Sequence, residues 1–103
     1  MSKKVFIAIA LVSVIFAAGC VNPKDNAIGS CENLCGQKSN EGQNLSSGPC
    51  LSGEIAPGWV CDIAHNPRQA VDDLPENQCS AFRNGTAHHF VEVDEKCNLI
   101  RAV

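Results

Sequence analysis

Residues 79–103 read CSAFRNGTAHHFVEVDEKCNLIRAV, and this stretch decides the fold expected of the chain. Asn84-Gly85 lies between two strand-like segments, and a type I′ turn needs positive φ at both central residues, which Asn and Gly accept. The pattern predicts a hairpin of residues 79–83 and 86–93, placing Phe82 opposite Ala87, Ser80 opposite His89 and Cys79 opposite Phe90. A second reversal over residues 94–98 leads into 99–103. The expected C-terminal unit is an antiparallel three-stranded meander with Phe82, Val91 and Val93 on its core face. In that register Cys97 lies past the far end of the strand, too far from Cys79 for a bridge that needs Cα atoms within about 7 Å. Both cysteines are therefore expected to bond to the N-terminal half.

Further upstream, residues 51–55 and 59–64 flank Ala56-Pro57-Gly58 and read as strand, turn, strand. Period two puts Trp59, Cys61 and Ile63 on one face, with Trp59 the foremost core candidate. Asn66-Pro67 and Leu74-Pro75 predict a loop over residues 65–77 with at most one helical turn, around 69–73. Between residues 36 and 49 the only apolar side chain besides proline is Leu45, which predicts a long exposed loop. Ser30 is placed to cap a short helix over residues 31–35, ended by Gly36 in the left-handed conformation. Cys31 and Cys35 then share one face, so each is expected to bridge to a different distant cysteine.

A chain of 103 residues holds one small domain, and a body of that size is marginal on hydrophobic burial alone. Cysteine is the obvious staple. Cys31, Cys35, Cys50, Cys61, Cys79 and Cys97 make three expected disulfides, at about 2–4 kcal/mol each comparable to the whole net stability of a small domain. The fold class is a small disulfide-rich, mainly β domain. The rival is a zinc module, since Cys31/Cys35 and Cys61/His65 are each separated by three residues. The disulfide pattern calls for no metal and no cofactor. Asp72, Asp73, Glu76 and Asn77 form an oxygen-rich cluster without the spacing of a calcium loop.

At the start of the chain, Lys3 and Lys4 precede residues 5–18, where Ser13 is the only polar member, and small residues follow. This is the order of a secretory signal. As a helix the run spans about 21 Å, short of a hydrocarbon core of about 30 Å, which disfavours a permanent span. Ala17-Ala18-Gly19-Cys20 resembles the lipobox of prokaryotic lipoproteins, which usually carries Leu where this chain has Ala17. The resemblance implies cleavage before Cys20, lipid on Cys20 and a membrane tether outside the cytoplasm. The expected organisation is a signal peptide over 1–19, a lipidated cysteine and tether over 20–30, and a cysteine-rich domain over 31–103. Setting Cys20 aside leaves an even number of cysteines.

From Cys20 onward six cations face eleven carboxylates, a formal charge of −5, and the cations are scattered. A nucleic-acid partner is not expected of such a surface. The favoured function is binding or structural, with an envelope or extracellular protein or a glycan as partner. Trp59, Asp62, His65 and Arg68 are the candidate contact residues, a polar pocket beside an aromatic wall. The enzyme alternative is a small envelope hydrolase using His65, His88 or His89. His88 and His89 are adjacent in a predicted strand and point to opposite faces, His89 with Val91 inward and His88 with Glu92 outward. Asn44-Leu45-Ser46 and Asn84-Gly85-Thr86 match the glycosylation sequon.

Overall fold

The computed structural model describes residues 22–103. The leader, the lipobox and Cys20 lie outside the described residues. Helix α1 (Pro23–Asn40) packs on one face of a four-stranded sheet formed by β1 (Cys50–Ala56), β2 (Trp59–Ile63), β3 (His89–Val93) and β4 (Leu99–Ala102). The sheet order is β1-β2-β3-β4. The outer pairs are antiparallel and the central pair, β2 with β3, is parallel.

The expected hairpin of β1 and β2 around residues 56–58 is present, and Trp59, Cys61 and Ile63 are buried together against the helix. The reversal over residues 94–98 is also present. Asp94 organises it, its Oδ1 accepting from the backbone N–H groups of Lys96 and Asn98 at 2.9 Å each. The C-terminal unit is otherwise different from the meander that the Asn-Gly signal predicted. Residues 80–83 form a single helical turn, α2 (Ser80–Arg83), and β3 joins β2 in parallel, from Trp59 opposite His89 to Ile63 opposite Val93.

Two local forces explain the change. Asn84 has φ −90 and only Gly85 is left-handed, at φ 82, so the pair closes α2 in the manner of a glycine helix stop and does not make a hairpin turn. Asn84 Oδ1 then accepts from the N–H of Thr86 at 2.9 Å. The Cys50–Cys79 bridge meanwhile holds Cys79 over the β1–β2 face, where it packs with Val60 and Ala87. Residues 64–88 thus become the crossover that a parallel pair requires, with 3₁₀ turns at Ala70–Asp73 and Pro75–Asn77. Phe82, expected in the core, is 40% exposed at the rim of this crossover.

The N-terminal helix is longer than residues 31–35. Asn22 caps it, accepting from the N–H of Asp25 at 2.8 Å, and Pro23 occupies the first turn, where a missing N–H costs nothing. The stretch 23–30, expected as tether, is therefore helical, and so are residues 36–40, expected as loop. Ala27, Cys31 and Cys35 recur every fourth residue and are fully buried, forming the stripe that seats α1 on the sheet. Leu45 folds back into the same core at 5% exposure.

Three disulfides join the described residues: Cys31–Cys61, Cys35–Cys97 and Cys50–Cys79. As expected, Cys31 and Cys35 bond to different distant cysteines, and Cys79 and Cys97 each bond to one earlier in the chain. Cys31 and Cys61, which a zinc site would have needed as thiolates, are joined to each other.

Gly29 and Gly36 sit inside α1 with open space around the position of a Cβ. Gly29→Ala and Gly36→Ala should each raise stability by roughly 0.5–1 kcal/mol, read as an increase in melting temperature of a few degrees. A Gly36 that ended a short helix in the left-handed conformation would give the opposite sign.

Candidate functional site: a cleft on the open face of the sheet

Alternation along the strands divides their side chains between two environments. Trp59, Cys61, Ile63, Val91 and Val93 face the helix, while Val60 and Asp62 of β2 and Phe90 and Glu92 of β3 face the other way. The parallel register sets Asp62 beside Glu92, and the antiparallel register sets Arg101 of β4 beside Glu92. The crossover covers only part of this face. Between Arg68, Gln78, Cys79, Phe82 and Arg83 on one side and the sheet on the other lies a cleft of about 350 Å³.

Glu92 stands at the centre of the charges. Its side chain is 7% exposed and accepts from Arg68 Nη1 at 2.9 Å and Arg101 Nε at 2.8 Å, so both oxygens are engaged. Arg68 also donates through Nε to Asp73 at 2.8 Å, and these bonds to Asp73 and Glu92 hold it firmly protonated. One arginine thereby ties the crossover to the sheet. Phe82 meets Phe90 edge to face at 5.1 Å between ring centres, and the Arg101 guanidinium lies 5.3 Å from the centre of the Phe90 ring.

Asp62 differs from Glu92 although the two are neighbours. Its Oδ1 is buried without a hydrogen-bond partner. Burial first, and the adjacent Glu92 second, push its carboxyl up to about 8, against the opposing pull of Arg68 and of the Ile63 backbone. At neutral pH Asp62 is therefore mostly a neutral acid in the wall of the cleft.

His65 belongs to a neighbouring hollow of about 240 Å³, lined also by Asn66, Pro67, Gln69, Asp94, Glu95 and Lys96. Its Nδ1 donates to Asp72 Oδ1 at 2.9 Å, and Asp72 Oδ2 accepts from the backbone N–H groups of His65 at 3.0 Å and Gln69 at 2.9 Å. Burial opposes ionisation of Asp72, but these three donors outweigh it and hold the carboxyl below its usual range. Gly48 admits the arrangement. A Cβ there would lie 2.5 Å from Asp72 Oδ1, and the residue is left-handed at φ 71.

Of the four candidate contact residues, Asp62 and Arg68 come together in the cleft and His65 lies in the adjoining hollow. Trp59 is on the opposite face, 6% exposed, where it belongs to the core and stacks on His89 at 4.6 Å. The three histidines do not converge: His65 is bonded to Asp72, His89 stacks on Trp59, and His88 is exposed just before β3. Asn44 and Asn84 of the sequons are both exposed. Among the described residues no three His, Cys, Asp or Glu side chains are grouped as a metal would need. Glu92 and Arg101 were not singled out in the sequence. The signal available was a carboxylate in mid-strand between apolar neighbours, in VCDI and again in FVEV. No protein family, curated protein or solved structure matches this chain.

The Asp62 proton has a stability consequence. The folded chain holds it more tightly than an unfolded chain, whose carboxyl titrates near 3.8, so its contribution is complete below about pH 4 and is lost as pH rises through about 8. Melting temperatures of wild type and Asp62→Asn should diverge from pH 5 to pH 9, the wild type falling behind by an amount worth a few kcal/mol. Parallel curves would contradict the burial of this carboxyl.

Proposed function

We propose that the protein is an exported, lipid-tethered binding domain that meets its partner through the cleft on the open face of the sheet. The observation that carries the binding role is the convergence of Asp62, Arg68, Phe82, Phe90, Glu92 and Arg101, from separate stretches of chain, on one concave site. The partner is a component of the envelope or of the extracellular medium.

The address rests on the sequence of the leader and on cysteine chemistry. Lys3 and Lys4, the apolar run and Ala17-Ala18-Gly19-Cys20 have the order of a lipoprotein signal. Three disulfides among the described residues are of the kind that persists in an oxidising, extracytoplasmic setting. No described helix is long and apolar enough to cross a membrane; the proposed attachment is the lipid on Cys20. With α1 starting at Pro23, only Val21 and Asn22 separate the lipidated cysteine from the folded body. The cleft then works close to the bilayer surface.

Fractionation of cells labelled with a fatty acid tests the tether. The wild-type protein should carry label and sediment with membranes, whereas Cys20→Ala should be unlabelled and leave the membrane fraction while keeping three disulfides. An unlabelled wild type, or a membrane-bound Cys20→Ala, would contradict the proposal.

A further inference from the structure

The chain has three arginines, at positions 68, 83 and 101, and all three line the same cleft. They are far apart in sequence, and the domain around them is acidic. Their donors are unequally committed. Arg68 uses Nε on Asp73, Nη1 on Glu92 and Nη2 on the Asp72 carbonyl. Arg101 uses Nε on Glu92, and its two terminal nitrogens form no hydrogen bond among the described residues. Arg83, at the end of α2, forms no ion pair among the described residues. Glu92 and Asp73 answer two of the three positive charges, so with Asp62 protonated the cleft retains a formal excess of one, inside a domain whose own charge is −5.

Each remaining group has a counterpart in one kind of ligand. Free guanidinium N–H groups in a planar fork match the two oxygens of a carboxylate. The unpartnered Asp62 carboxyl, kept neutral, supplies an O–H to the same anion. Phe82, 40% exposed, and Phe90, which meet edge to face, offer an apolar wall to the cleft, with the Arg101 guanidinium 5.3 Å from the centre of the Phe90 ring. A volume of about 350 Å³ suits a small molecule.

We propose that this cleft binds a small organic carboxylate with an apolar or aromatic body, its anion held by Arg83, Arg101 and the Asp62 carboxyl and its body lying against Phe82 and Phe90. The assignment deepens the binding role proposed above and rests on it. Binding is pH-dependent in a defined sense. The charged groups facing Asp62 are Glu92 from β3, Arg101 from β4, Arg68 and Asp72 from the crossover and Arg83 from α2. Ionisation of this acid turns a donor into a carboxylate that repels the bound anion.

Calorimetric titration of the disulfide-intact full chain in detergent, with benzoate, benzamide and benzylamine as probes, tests the inference. Benzoate should bind saturably at about pH 6, at least about tenfold more tightly than benzamide, and benzylamine should not bind. Arg83→Ala, an exposed position outside the Glu92 network, should weaken benzoate about tenfold without lowering the melting temperature. Affinity should fall as pH rises through about 8, and Asp62→Asn should flatten that fall. Benzamide binding as well as benzoate would overturn the anion assignment and leave the cleft a binding site. Binding of none of the three would overturn the cleft's role as well, while the fate of Cys20→Ala judges the tether separately.

Discussion

The Cys31–Cys61 bridge is the contact on which the remaining architecture depends. It joins the middle of α1 to the middle of β2, both partners fully buried, and so fixes which face of the sheet the helix covers. Cys35–Cys97 repeats the attachment one turn along α1, tying it to the reversal that leads into β4. Chain entropy assigns loops of 30 and 62 residues about 4 kcal/mol each, more than any single side chain of this core contributes by burial. With one face of the sheet committed to α1, the residues of opposite parity in β2 and β3 are left to the other face. The cleft is a consequence of that division.

The third bridge, Cys50–Cys79, acts on the open face. It brings the crossover down onto β1 and β2 and stacks α2 over Val60, but it does so at one end only. At the other end Arg68 reaches from the loop to Glu92. The crossover is thus held by a covalent bond and by an ion network, and the space between these two supports is the concave site. The two neighbouring acids are used differently: both oxygens of Glu92 are engaged by two arginines, whereas Asp62, its neighbour by register, keeps a buried oxygen without a partner. A fold selected for stability alone would place an apolar residue at that position.

Features governed by short-range chemistry were legible in the sequence. The β1–β2 turn, the alternation of Trp59, Cys61 and Ile63, the reversal at Asp94 and the use of all six cysteines in bridges to separate partners follow from local spacing. The parallel pairing of β2 with β3 did not, because it joins strands separated by a 25-residue crossover and leaves no local mark. Asn84-Gly85 carried a true turn signal, but the same two residues serve a helix stop as well as a hairpin. The length of α1 was hidden by Gly36, which read as a helix end, and by the stretch before Cys31, which read as a tether, although tertiary contacts through Ala27, Cys31 and Cys35 hold the helix throughout. At the site, Asp62 and Arg68 were legible as neighbours in the chain. Glu92 and Arg101 required the register, and Trp59, read both as the foremost core candidate and as a contact residue, lies in the core.

Peptide mapping under non-reducing conditions tests the central claim most directly, using a protease that cleaves after Glu32, between Cys31 and Cys35, and after Glu54, between Cys50 and Cys61. The account predicts Cys31–Cys61, Cys35–Cys97 and Cys50–Cys79 as the sole cross-links of these six cysteines. Any other of the fifteen ways of pairing six cysteines, or free thiols among them, would place α1 differently on the sheet and contradict it.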